Sequence, residues 1–181
     1  NMTKKVEFDI VLWGGSSFVS KLVAEHLHQT YGVDGQIRWA IGGRNQRKLE
    51  DTRDWLGDGA EELPIIIGDA RDRQFLGSIA QRSKVVLSTV GPYALYGKEL
   101  VEACAANGAD YCDLAGEIPF IQEMIDRHAA EARASGARIL SCCGVDRLTL
   151  VVSGDRDPGY GASSRMIGEV AICLARDLPK S

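Results

Sequence analysis

The 181-residue chain carries 21 basic and 25 acidic side chains, a formal net charge of −4 and 45% hydrophobic residues. That is enough for one domain with a full core and too little for two comfortable ones. The acidic balance argues against a general nucleic-acid surface, and no apolar run approaches the roughly 20 residues that cross a bilayer.

In chain order, Asn1-Met2-Thr3-Lys4-Lys5 is too polar for a signal peptide, and Asn1 ahead of Met2 reads as an expression remnant. The apolar run Asp9-Ile10-Val11-Leu12-Trp13 stops at Gly14-Gly15 and passes at once into a helical pattern. The same rhythm repeats, predicting strands over 9–13, 36–42, 64–68, 84–90, 109–113 and 137–142. Several are apolar at nearly every position, as in strands covered on both faces. Helices are predicted over 17–31, 45–57, 72–82, 97–107 and 118–135, the last with Ile121, Met124, Ile125, His128 and Ala132 as a buried stripe. Asn45 and Asp72 suit N-caps, while Gly57, Gly108 and Gly136 suit helix stops. Beyond Gly144 the rhythm breaks, with an apolar run at 150–152, a turn-rich loop at 154–161 and a final amphipathic helix at about 162–177.

Six strands alternating with helices predict an α/β fold: a three-layered, doubly wound parallel sheet of the Rossmann type, in the order 3-2-1-4-5-6. Its ligand site lies at the switch point between strands 1 and 4. Cys104, Cys112, Cys142, Cys143 and Cys173 form no CxxC pair and no metal spacing, which predicts a reduced, cytoplasmic protein. Adjacent Cys142 and Cys143 are expected on opposite faces of the sixth strand, as small core residues.

The strand-to-helix turn Gly14-Gly15-Ser16-Ser17-Phe18-Val19 would present backbone N–H groups and a helix dipole to a pyrophosphate. Aligned on Gly14, the second and third glycine positions of a dinucleotide fingerprint hold Ser17 and Ser20. Their hydroxyls could meet a phosphate, or the substitution could weaken binding. At the end of strand 2, Gly43-Arg44-Asn45 offers a cation where NAD-specific sites place an acid, which favours NADP over NAD. Asp69 and Ala70, after strand 3, suit the adenine edge, with Asp69 equally suited to an ordinary strand-end cap before Arg71 and Asp72, and Val90-Gly91-Pro92-Tyr93, after strand 4, suit the ribose and nicotinamide. Tyr93, Tyr96 and Glu117 near the sheet's C-terminal edge could exchange a proton or serve as structural hydrogen-bond partners. No catalytic residue is assigned, and His26, His28 and His128 read as structural or surface residues.

The stretches Trp13–Val19, Trp39–Asn45, STVGPYALYG at 88–97, YCDLAGE at 111–117 and Cys142–Asp146 follow in order. This series resembles the saccharopine dehydrogenase-like oxidoreductases, the group that includes the mycobacterial trans-acting enoyl reductases. The resemblance implies NAD(P)-dependent hydride transfer to a small-molecule, lipid-like enoyl substrate. It also implies a substrate domain after the Cys-Cys-Gly segment. Here the family's return segment, Asp155–Gly161, follows almost immediately, so a domain is expected to be absent between about Asp146 and Leu150. Residues 1–146 are then the dinucleotide-binding domain, and 147–181 a return strand and helix on the same domain. Such a piece should turn over little, and apolar surface bared by the loss would favour a homodimer. The competing expectation is a non-catalytic nucleotide-binding or scaffold module.

Overall fold

The computed structural model describes residues 6–33, 35–143 and 160–177. The apolar run after the N-terminus forms β1 (Phe8–Trp13), and Ser17 caps α1 (Phe18–Tyr31). The next three units are β2 (Trp39–Gly43) with α2 (Gln46–Leu56), β3 (Ile65–Ile67) with α3 (Arg73–Arg82), and β4 (Ser83–Ser88) with a one-turn α4 (Tyr93–Tyr96) and α5 (Lys98–Asn107). β5 (Asp110–Asp113), α6 (Ile118–Ser135) and β6 (Ile139–Leu140) follow, and α7 (Tyr160–Ile172) ends in a π-helical turn at Cys173–Asp177.

All six strands pair in parallel in the order β3-β2-β1-β4-β5-β6. Central β1 is buried along its whole length, with Ile10 in register with Trp39 on one side and Val85 on the other. Side-chain alternation divides the core in two. Val11, Trp13, Val86 and Tyr111 face a layer built from α3, α5 and α6. Ile10, Leu12, Leu87 and Cys112 face α1, α2 and α7, where Ile167 and Ala171 close the layer. The chain's doubly wound, three-layered α/β architecture thus follows from runs apolar on both faces.

Helix ends obey local chemistry. Asn45 accepts the Lys48 N–H at 3.0 Å, Asp72 accepts the Phe75 N–H at 3.0 Å, and Gly108 and Gly136 end α5 and α6 in the left-handed region. At the N-terminal side of the sheet, buried Asp9 is paired with Arg38 and Lys84. Burial alone would raise its carboxyl pKa, but the hydrogen bonds from Lys84 and Arg38 outweigh this and hold it below the ordinary range. Asp110 is paired with Arg138 in the same way. These charges staple strand entries, at the opposite end of the sheet from the strand exits.

Several boundaries differ from expectation. β6 is two residues long, not six, because Cys142 turns to φ 65 and its N–H bonds the Asp113 carboxylate at 3.1 Å. Cys142 and Cys143 therefore sit half-buried beyond the strand and are not core residues on its two faces. The buried face of α6 is Phe120, Met124 and Ala132, leaving Ile125 53% exposed over the short edge strand. α4 was not expected at all. The proposed join at Val145–Leu150, the strand at 150–152 and the loop at 154–159 lie outside the described residues.

Candidate cofactor-binding site

Above the C-terminal ends of β1 and β4 lies an open cleft of ≈ 200 Å³, lined by the first glycine turn and the loops after β2, β3 and β4. Its floor is the β1 exit. The Gly14 and Gly15 N–H groups both donate to the Gly42 carbonyl at 2.9 Å, which locks the turn onto β2. Gly14 adopts φ 94, and a Cβ there would stand 2.7 Å from Val90 Cγ2 and 2.9 Å from Thr89 Oγ1. The Ser16 N–H, in contrast, makes no hydrogen bond among the described residues. Trp13 also lines the cleft, and its indole N–H is buried without a hydrogen-bond partner.

Ser17 and Ser20 are spent internally. Ser17 Oγ accepts the Ser20 N–H at 3.1 Å as the α1 N-cap and donates to Ser20 Oγ at 3.0 Å. Fully buried Ser20 donates to the Gly14 carbonyl at 2.7 Å and is hydrogen-bonded to Thr89 Oγ1. Thr89 Oγ1 in turn reaches the Trp13 carbonyl at 3.3 Å. The network ties turn, helix and β4 together where glycines would simply let the backbones approach. Each hydroxyl proton has a protein acceptor, so neither serine is left to donate to a phosphate.

Across the cleft, Arg44 is exposed and makes no ion pair or hydrogen bond among the described residues. Asp69 Oδ1 accepts the Arg71 N–H at 2.9 Å in a side-chain turn, and its second oxygen has no partner among the described residues. The arrangement fits a phosphorylated dinucleotide: a cradle that a Cβ would fill, an unpaired amide at a helix N-terminus, and a free guanidinium on the far wall.

The saccharopine dehydrogenase NADP binding domain model matches residues 10–140. The chain belongs to that family. NADP is accordingly the cofactor of this domain family. The chain is 46% identical over 142 residues to the trans-acting enoyl reductase of Mycobacterium leprae, covering 78% of this chain and 33% of that protein. It thus spans about a third of the length of the curated relatives it matches. Two solved structures share the fold. Apo saccharopine dehydrogenase (L-Glu forming) from Saccharomyces cerevisiae superposes with a TM-score of 0.58 at 19% identity, over 77% of this chain and 28% of that one. A Rossmann-fold NAD(P)-binding family protein from Shigella flexneri gives 0.57 at 12%, over 96% and 89%. No helix among the described residues is long and apolar enough to cross a membrane.

Within this NADP-binding domain, nine residues singled out from sequence line the cleft: Gly14, Ser16, Ser17, Gly43, Arg44, Asp69, Ala70, Val90 and Gly91. Six do not. Gly15 is buried with its amide on β2, Phe18 is 65% exposed at the start of α1, and Val19 packs on the core. Asn45 caps α2, while Pro92 and Tyr93 belong to the start of α4. Trp13, Thr89 and Tyr96 line the cleft as well. Trp13 and Thr89 directly flank segments already singled out, so strand-exit position was the signal for them. Tyr96, singled out from sequence as a residue near this edge, is brought to the cleft by α4.

Tyr93 and Glu117 act as pins. The buried Tyr93 hydroxyl donates to the Ser88 carbonyl at 3.2 Å and accepts the Leu114 N–H at 3.3 Å, joining the ends of β4 and β5. Burial, with a smaller push from the Asp113 charge, raises its pKa far above the ordinary phenol value and keeps the hydroxyl protonated. Glu117 accepts the N–H groups of Tyr93 at 2.7 Å and Ala94 at 2.9 Å, capping α4 from 24 residues away in sequence. Asp113 completes the edge: buried and short of a cation, it accepts from Tyr111, Ser141, Ala115 and Cys142, and burial raises its pKa despite those bonds. Glu117→Gln keeps one acceptor and loses the charge, so it should cost about 1 kcal/mol, a fall in Tm of about 2–4 °C. A thermal melt unchanged by the substitution would show that the cap carries no stability.

Proposed function

We propose that this chain is the cofactor half of an NADPH-dependent oxidoreductase that delivers hydride to a small, lipid-like enoyl substrate in the cytoplasm. The observation that carries the cofactor assignment is Arg44: an unpaired guanidinium in the same cleft as the Gly14 turn, with no carboxylate in the segment Gly42–Lys48. A guanidinium fork matches a 2′-phosphate, whereas a ribose hydroxyl would call for an acid there. The bound cofactor supplies the hydride; this chain's residues fix where it lies. The substrate class rests on the activity of the relatives, trans-acting enoyl reductases. Exposed Phe18, Leu95 and Ile118 stand at the starts of α1 and α6 and on α4, at the edge where the strands end. They support the presence of a further element over that edge, contributed by the rest of a longer protein or by a homodimer partner.

Arg44→Ala tests the reading by calorimetric titration. Loss of one charge-assisted phosphate contact should weaken NADPH about 10- to 100-fold and leave NADH within about twofold. Equal weakening of both cofactors would remove Arg44 from the 2′-phosphate, and a wild-type chain that binds neither would overturn the reading as a whole.

A further inference from the structure

The segment that links β4 to α4 lines the cleft with Thr89, Val90 and Gly91. One end of it is fixed to the β1 exit, where the Thr89 N–H donates to the Trp13 carbonyl at 2.9 Å. The other end runs into α4, a four-residue helix whose cap residue, Pro92, offers no side-chain acceptor. A single helical turn is not stable by itself in water. A carboxylate from the loop before α6 holds this one. Glu117 accepts the Tyr93 N–H at 2.7 Å on Oε1 and the Ala94 N–H at 2.9 Å on Oε2. Glu117 is itself rooted from two sides. Its carbonyl accepts the Ile121 N–H at 3.1 Å at the start of α6. Two residues earlier, the Ala115 N–H is held by Asp113 Oδ1 at 2.9 Å. Phe120, one turn along α6, packs on the Tyr93 ring with centroids 5.9 Å apart.

Glu117 does not line the cleft, so its influence there is indirect. What it sets is the position of the Val90–Gly91 backbone, whose own bonds are few. The Gly91 N–H makes no hydrogen bond among the described residues, and the Val90 N–H reaches only Ser88 Oγ at 3.4 Å. The segment is therefore held by its two ends, the Trp13 carbonyl at one and the Glu117 carboxylate at the other. In a dinucleotide fold with the pyrophosphate at the start of α1, the exit of this strand faces the half of the cofactor that carries the nicotinamide. We infer that Glu117 is a positioning residue for the nicotinamide half of the cofactor, acting through α4 and not by contact. The inference rests on the NADP reading above and deepens it by naming a residue outside the cleft that sets one half of it.

The test titrates the 181-residue protein by calorimetry with NADPH and with 2′,5′-ADP, which lacks the nicotinamide half. Wild type should bind NADPH about tenfold tighter than 2′,5′-ADP. Glu117→Ala should erase that advantage, weakening NADPH about tenfold and 2′,5′-ADP less than about twofold. Glu117→Gln keeps one acceptor and folds at the mild cost given above, so it reports even if Glu117→Ala melts early. It should show the same selectivity, with NADPH weakened about threefold. Asp9→Asn is the control for stability alone, because it breaks the pairs with Arg38 and Lys84 at the strand entries. It should lower Tm and leave both affinities within about twofold. Equal losses of the two ligands in the Glu117 variants, unchanged NADPH affinity, or a wild type without the tenfold gap would each overturn the inference and leave the NADP site standing. Failure of the wild type to bind either ligand would overturn the NADP reading and this inference with it.

Discussion

Gly14→Ala is expected to abolish nucleotide binding, weakening NADPH more than about 100-fold. Two costs coincide at this position. The backbone sits at φ 94, a region L residues avoid, at a strain of about 1–3 kcal/mol. The added Cβ would also lie 2.7 Å from Val90 Cγ2, 2.9 Å from Thr89 Oγ1 and 3.3 Å from the Val90 N. Val90 could rotate, but the backbone nitrogen and the hydrogen-bonded Thr89 cannot give way without moving the β4 exit. That exit and the turn both line the cleft, so relief of the clash displaces the surfaces proposed to hold the phosphates and ribose. Titration with NADPH checks the binding loss, and circular dichroism checks that the sheet remains folded. Gly116→Ala is the control, since its Cβ would meet nothing within 4 Å and the site lies elsewhere. Affinity retained within threefold in Gly14→Ala would mean that the turn does not carry the cofactor.

The double substitution Ser17→Gly and Ser20→Gly, which would recreate a glycine-rich fingerprint, is expected to destabilise the protein by about 2 kcal/mol without tightening NADPH. Glycine itself is a tolerable N-cap, so the Ser17 change costs only a few tenths of a kcal/mol. Ser20 matters more. Its hydroxyl is fully buried and holds the Gly14 carbonyl at 2.7 Å, a bond worth about 1 kcal/mol. Glycine inside the first turn of α1 adds up to about 1 kcal/mol of backbone entropy. For a chain of this size the sum is a fall in Tm of about 4–8 °C. Affinity should not rise, because the serines already permit the close packing of turn and helix that the glycines provide elsewhere. A large gain in affinity would show that Ser17 and Ser20 obstruct the phosphate and that the site is eroded.

These two results bear on how far a glycine pattern can be read by itself. As letters, Ser17 and Ser20 look like damage to a fingerprint. In three dimensions they are an N-cap and a buried cross-link to Thr89, a residue 69 positions further on. The same limit explains Tyr93 and α4. A four-residue helix has no periodicity to detect, and its cap is Glu117, supplied by a loop on the other side of α5. Cys142 is a third case: the apolar spelling of 137–142 suits a strand, but the Asp113 carboxylate captures its N–H and ends the ladder early.

By itself, the sequence determined the strand order, the helices between the strands apart from α4, the caps at Asn45 and Asp72, the parallel sheet and the position of the glycine turn after β1. Those properties depend on periodicity and on interactions within a few residues, which a linear pattern records directly. Tertiary structure alone decided which side chains of that turn face the cleft, that Tyr93 is a buried pin, and that Glu117 caps α4. Each of these depends on contacts between segments brought together only when the sheet assembles, and no local spacing encodes them.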